Sequence, residues 1–181
     1  MSDGAGDRSG RAIHDNSKKL VQRIDDLVVS LDHIAIGVED LDTAIDWYTR
    51  CCRFRVLERR ITRGERTGML SAVLAGGSAV IVLIQGIETD SQVSRFISKF
   101  GPGVQHIGLA VNDLYSAIDQ VQEGGGVVDT SIIAGDGIRQ VFLRRDAGSG
   151  VRVELIDRRG GTFSDHSVNQ LFQQFESKGL Y

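Results

Sequence analysis

The sequence predicts an α+β fold built from two tandem βαβββ modules, and three observations carry that prediction. Residues 31–48 (LDHIAIGVEDLDTAIDWY) are written again at 104–121 (VQHIGLAVNDLYSAIDQV), with His33 and His106 each at the third position. A later echo pairs AVIVLIQ (79–85) with VRVELID (151–157) at an offset of 72, against 73 for the histidines. In both halves the apolar pattern runs from alternation to helical spacing and back to alternation in three short segments.

Taken in order, residues 1–12 are small, polar and glycine-rich and are expected to be flexible. Leu20, Ile24 and Leu27 at helical spacing predict a short leading helix, so residues 1–28 stand outside the paired domain. From Leu31 the period is two: His33, Ala35 and Gly37 share one strand face, and Ile34, Ile36 and Val38 the other. The aliphatic face suits a helix packed against it, and the histidine then points into the cavity the sheet encloses. Asp40 or Asp42 starts a helix with the stripe Leu41, Ala44, Ile45 and Tyr48, ending near Arg50. Strands are expected at about 53–60, 69–75 and 78–85, the last two joined by a Gly76-Gly77 turn.

SQVSRFISKF (91–100) predicts a linker helix closed by Gly101-Pro102-Gly103. The second module repeats the plan, with a strand at 104–111, a helix at 113–123 stopped by Gly124-Gly125-Gly126, and strands near 127–130, 138–144 and 150–157. A last helix, about 166–178, carries Val168, Leu171, Phe172 and Phe175 on one face. The expected division is a paired domain over 29–160, with modules at about 30–90 and 102–160, and a terminal helix within 161–181.

Composition narrows the function. A formal charge of −3 with interspersed signs argues against a nucleic-acid partner, which needs a concentrated basic face. Arg59, Arg60, Arg63 and Arg66 are interleaved with Glu58 and Glu65 and read as a solvated strand edge. No apolar run approaches the roughly 20 residues that span a bilayer, and a soluble cytoplasmic protein is expected. Cys51 and Cys52 are adjacent, which argues against a disulfide framework and places them at a helix end with one facing inward.

The duplication also carries the chemistry. Two histidines at equivalent positions suggest duplicated metal ligands, and Glu154 sits where the second echo places Val82 in the first module. The chain thus offers two histidines and one carboxylate, which leave an octahedral metal three open positions, as in oxygen-activating non-haem Fe(II) sites. Co, Mn, Ni or Zn would also suit such a donor set. A carboxylate between the aliphatics of VRVELI is costly unless a cation neutralises it.

These residues resemble the vicinal oxygen chelate superfamily, and within it the catalytic C-terminal half of 4-hydroxyphenylpyruvate dioxygenase and hydroxymandelate synthase. GPGVQHIGLAV (101–111), VELIDRRGGTF (153–163) and the spacing of Phe163, Leu171, Phe172 and Glu176 carry the resemblance, which covers residues 30–178. It implies one half-open eight-stranded sheet around a metal held by His33, His106 and Glu154, with the terminal helix as a lid. No separate N-terminal module is expected beside this pair. By the same resemblance Gln140 faces the substrate, Phe163 closes over it, and Ser71 and Gln85 remain as polar contacts. Ile84 stands where an amide would be expected, so hydroxyphenylpyruvate itself is not the expected substrate. A small α-keto acid or related aromatic compound with O2 is implied, without a side-chain base, and so is a homodimer.

Methylmalonyl-CoA epimerase is the rival resemblance, through SRFISKFGPGVQHIGLAV. It would mean divalent-metal Lewis-acid chemistry, with Glu65 in the loop TRGERTG as the base. That family has a polar fourth ligand where this chain has Val82, and no lid helix after the glutamate. A non-catalytic small-molecule binding protein is the third alternative, and retention of all three ligands argues against it. His166, among Ser164, Asp165 and Ser167, reads as capping chemistry.

Overall fold

The computed structural model describes residues 28–135, 137–161 and 164–181. The expected leading helix, and Phe163, lie outside the described residues. The first module comprises β1 (Val28–Gly37), α1 (Leu41–Cys52), β2 (Arg55–Arg63), β3 (Gly68–Gly76) and β4 (Ala79–Gly86). A linker helix, α2 (Gln92–Phe100), leads to β5 (Gly103–Val111), α3 (Leu114–Glu123), β6 (Ile133–Gly135), β7 (Ile138–Phe142) and β8 (Arg152–Arg158). The chain closes with α4 (Asp165–Lys178).

All eight strands form one curled sheet, in the order β2-β3-β4-β1-β5-β8-β7-β6. Within each module the first strand pairs parallel with the last, β1 with β4 and β5 with β8. The two modules join through the antiparallel pair β1 and β5, at the centre of the sheet. The two βαβββ modules of the sequence are therefore the two halves of one sheet.

The helices start where the sequence supplies caps. Asp40 accepts from the Thr43 backbone N–H at 2.7 Å, and its repeat equivalent Asp113 accepts from Tyr115 at 3.1 Å. α1 packs Ala44, Ile45 and Tyr48 against Ile34, Ile36, Leu74, Ile81 and Leu83. α3 packs Leu114, Ala117 and Ile118 against Val111, Val141 and Leu155. Each buried Leu or Ile in these clusters contributes about 1.5–3 kcal/mol. The apolar strand faces are thereby consumed on the convex side, and the alternate residues, His33 and Ala35 among them, are left to the concave side.

Three local expectations are corrected. The strand expected near 127–130 is reduced to a single bridge, Val128 with Leu143, and β6 begins only at Ile133. There the Thr130 hydroxyl accepts from the Phe142 N–H at 2.9 Å, beside the backbone bonds from the Asp129 N–H to the Phe142 carbonyl at 2.8 Å and from the Arg144 N–H to the Val127 carbonyl at 2.7 Å. Cys51 and Cys52 are both exposed, because the left-handed cap at Arg53 (φ 60°) ends α1 before a further turn can pack inward. The turn between β3 and β4 is Gly77-Ser78, one residue later than expected, with Gly77 at φ 60°.

Candidate metal centre

One register row of the sheet assembles the site. His33 on β1 pairs with Gly108 on β5, Gly108 pairs with Glu154 on β8, and Glu154 pairs with Phe142 on β7. His106 lies two residues from Gly108 and opposite Ala35. The His33 and His106 Nε2 atoms are 3.2 Å apart, and Glu154 Oε2 lies 3.2 Å from the first and 3.6 Å from the second. All three donor atoms fall within 4.8 Å of one another.

Bulges in the central strand pair set the outer contacts. The β1 and β5 register shifts between Leu31 and His33, and again between Ala35 and Ile36, which makes Asp32 the extra residue on β1 and Gln105 the extra residue on β5. Each bulge residue turns its side chain onto the histidine that follows it. Asp32 Oδ1 lies 2.7 Å from His33 Nδ1, and Gln105 Oε1 contacts His106 Nδ1. A proton on Nδ1 serves both contacts and leaves each Nε2 lone pair for a metal. Asp32 is held in turn by Arg158, at 2.5 and 2.8 Å.

The electrostatics call for a cation here. Burial disfavours a charged His33, but Glu154 and Asp32 outweigh it and raise the imidazole to about 9. His106 is pushed well below its ordinary value by burial, by His33 and by Arg152 and Arg145. Burial also works against the Asp32 charge, yet Arg158 and His33 hold its carboxyl well below the usual range. Glu154 is 1% exposed, and its Oε1 has no hydrogen-bond partner among the described residues. A buried carboxylate oxygen without a donor, converging with two imidazoles, fits an N2O metal site.

The three side chains open into a cavity of about 100 Å³. Val73, Val82 and Ile84 line it from the sheet, and Leu171, Phe172 and Phe175 of α4 cover it. Ser71 lies on this lining. Gln140 shares the Phe142 face of β7 but is fully buried, and neither amide atom has a partner among the described residues. Gln85 is a correction: its position next to Ile84 puts it on the convex face, where its Oε1 accepts from the Leu41 N–H at 2.7 Å and caps α1. Glu65 is exposed at the tip between β2 and β3, and lines a different surface hollow beside Arg66 and Glu176.

Several lining residues escaped sequence reasoning. Gln92, with its Oε1 buried and without a partner among the described residues, and Gln105 both face the cavity. Arg60 was read as part of a solvated edge, yet it lines the cavity while pairing with Glu58 and Asp165. Its parity with the buried Thr62 was the available signal.

α4 is tied at both ends. Arg60 lies 2.8 Å from Asp165 in its first turn. Near its last turn Glu176 accepts from the backbone N–H groups of Glu65 (2.9 Å), Arg66 (3.3 Å) and Thr67 (2.8 Å) and from the Thr67 hydroxyl (2.8 Å). On the opposite flank Gln174 accepts from the Ser131 N–H at 2.9 Å, and Lys178 donates to the Asp129 carbonyl at 2.9 Å. His166 caps nothing; it contacts Gln170 at 2.9 Å, while Ser164 and Ser167 form the capping box.

Paired βαβββ modules around a buried His-His-Glu cluster define a class, and comparison with known proteins agrees. Residues 30–155 match the model of the Glyoxalase/Bleomycin resistance protein/Dioxygenase superfamily, and the chain belongs to it. It is 28% identical to 4-hydroxyphenylpyruvate dioxygenase of Pseudomonas aeruginosa over 205 residues, covering 92% of this chain and 55% of that protein. The chain thus spans about half the length of that relative. Methylmalonyl-CoA epimerase of Mycobacterium tuberculosis superposes with a TM-score of 0.62 at 29% identity, over 74% of this chain and 91% of the epimerase. A variant 4-hydroxymandelate synthase of Streptomyces coelicolor superposes with a TM-score of 0.74 at 19% identity, over 85% of this chain and 55% of that one, a likeness of fold. No helix among the described residues is long and apolar enough to cross a membrane.

Proposed function

We propose that the protein is a metal-dependent dioxygenase of the hydroxyphenylpyruvate dioxygenase type, using Fe(II) and acting on a small α-keto acid or related aromatic substrate. The observation that carries this reading is the His-His-Glu cluster opening into a largely apolar cavity lined by α4. His33, His106 and Glu154 would hold the metal, with Co, Mn, Ni or Zn as the other ions the donor set suits. Bound Fe(II) supplies the redox chemistry by which an α-keto acid is oxidatively decarboxylated with O2.

The chain's own residues position and exclude. Asp32 and Gln105 keep the imidazoles in one tautomer, so that both Nε2 atoms face Glu154. Val73, Val82, Ile84 and the α4 aromatics keep water from the reacting end and fit an apolar substrate body. Gln92 and Ser71 are neutral polar groups on the lining available to orient its oxygens, and Gln140, buried behind the lining on the Phe142 face, is a further candidate. Ile84 and the scarcity of polar lining favour a keto acid with an alkyl or plain aryl tail over hydroxyphenylpyruvate. No proton-transfer side chain is needed, and a homodimer is the expected assembly.

The second reading, a divalent-metal epimerase, isomerase or lyase, is favoured by the epimerase superposition, which spans nearly that whole enzyme. Glu65, its candidate base, stands exposed at a hairpin tip outside the cavity lining, and α4 packs its apolar face onto the cavity. Both features support the dioxygenase.

The deciding experiment reconstitutes anaerobically purified protein with Fe(II) and follows O2 uptake against a panel of alkyl and aryl α-keto acids. Keto-acid-dependent uptake with CO2 release is the expected result. A tightly held non-iron metal, no O2 uptake and turnover of a CoA thioester would replace this reading with the second.

A further inference from the structure

The two histidines are equivalent in the repeat but not in what holds them. His106 leans on a neutral amide, Gln105. His33 leans on a carboxylate that is itself clamped by a guanidinium, and neither Asp32 nor His33 is more than 9% exposed. We propose that the Asp32 and Arg158 pair is a positioning unit for the metal centre: it fixes the His33 ring with Nε2 toward Glu154 and thereby sets the affinity of the site for a divalent cation.

The geometry supports each link. Asp32 is the bulge residue of β1, and only that extra residue brings its carboxylate to its own neighbour's ring, since adjacent strand residues otherwise point to opposite faces. One carboxylate oxygen, Oδ1, receives both the His33 Nδ1 contact at 2.7 Å and an Arg158 N–H at 2.8 Å, while Oδ2 receives the second Arg158 bond at 2.5 Å. The fork holds the carboxylate plane, and the carboxylate plane holds the ring. Arg158 lies on β8, the strand of Glu154, so the same sheet element places one ligand directly and a second through Asp32. A guanidinium near a cation site would repel the cation if it were unpaired. With Asp32 it forms a neutral unit that leaves the ring's basicity to the carboxylate contact.

This inference rests on the reading of His33, His106 and Glu154 as a metal site, and the experiment separates the two. Co(II) titration of the full chain, followed by its visible d-d bands and by calorimetry, is made on the original protein and on Asp32→Ala, Asp32→Asn, Arg158→Ala and Arg158→Lys. Failure of the original protein to bind Co(II) would remove the metal site and this proposal with it. Binding by the original protein, with a roughly 10- to 100-fold loss in Asp32→Ala and Arg158→Ala and altered bands, is the expected result. Arg158→Lys should recover only part of the loss, because it restores the charge but not the two-pronged grip on Asp32. Folded Asp32→Ala and Asp32→Asn proteins with unchanged Co(II) affinity and bands would overturn the proposal while leaving the metal site intact. Should the alanine variants fail to fold, Asp32→Asn carries the same decision.

Discussion

Gly108 lies directly against the His33 ring: a β-carbon on Gly108 would stand 2.6 Å from both Cε1 and Nδ1 of that imidazole. The glycine is the register partner of His33 on one side and of Glu154 on the other, so its missing side chain is the space through which the ligand reaches the carboxylate. Gly108→Ala should displace the ring without disturbing the strand, which tolerates alanine at its repeat equivalent, Ala35. The expected outcome is retained secondary structure by circular dichroism and at least about a tenfold loss in divalent-metal affinity.

Glu154→Gln bears on stability and on metal binding alike. In the metal-free protein the buried carboxylate faces the His33 imidazole, whose pKa it raises, at 3.2 Å, so replacing it with a neutral amide should lower the melting temperature of the metal-free protein. What should vanish as well is stabilisation by metal, worth about 2.7 kcal/mol at a hundredfold excess over Kd. Thermal melts with and without Co(II) check both halves, and a metal-induced shift that survives in Glu154→Gln would show that this carboxylate is not a ligand.

Gln140 carries a prediction from the substrate side. Its amide is fully buried and unpartnered among the described residues, an arrangement that costs about 1–3 kcal/mol until a ligand or water pairs with it. Gln140→Leu is therefore expected to raise or preserve the melting temperature and to weaken substrate binding or raise KM. A marked fall in melting temperature would assign Gln140 to the fold instead.

The Glu176 clamp carries a pH dependence. Slight burial opposes its charge, but the Thr67 hydroxyl and the N–H groups of Glu65, Thr67 and Arg66 win and hold its carboxyl below the ordinary value. A lowered folded-state value means that the clamp is fully present above the ordinary carboxylate range and is lost as pH falls through the lowered value. Amide exchange at residues 65–67 should therefore accelerate on acidification, relative to the intrinsic rate. At neutral pH Glu176→Ala should speed tryptic cleavage at Arg63 and Arg66 by about tenfold, the weight of a charge-assisted hydrogen bond. Cleavage at the unaltered rate would mean that α4 stays seated without the clamp.

Much of this was legible in the chain. The duplication of DHIAIGVEDL and QHIGLAVNDL located both histidines, both helix caps and the central strand pair, because a repeated pattern fixes equivalent places in a paired fold. Glu154 was legible from its cost among aliphatics. Asp32 and Gln105 were not, because simple alternation sends them to the convex face and a bulge leaves no mark in hydrophobic periodicity. Arg60 was hidden by its company of charged neighbours, and β6 by its length of only three residues. Gln85 was misplaced although strand parity was available, since Ile84 beside it already held the concave position.

The sheet order leaves β2 and β6 as its two edges, and α4 reaches the hairpin tip and Arg60 on one flank and residues 129–131 on the other. On the proposed reading, the duplicated sheet would hold the metal and one wall of the cavity, and a single appended helix of 14 residues would form the other wall. Such a division would let evolution, or an engineer, reshape the cavity by rewriting one segment while leaving the His-His-Glu cluster untouched.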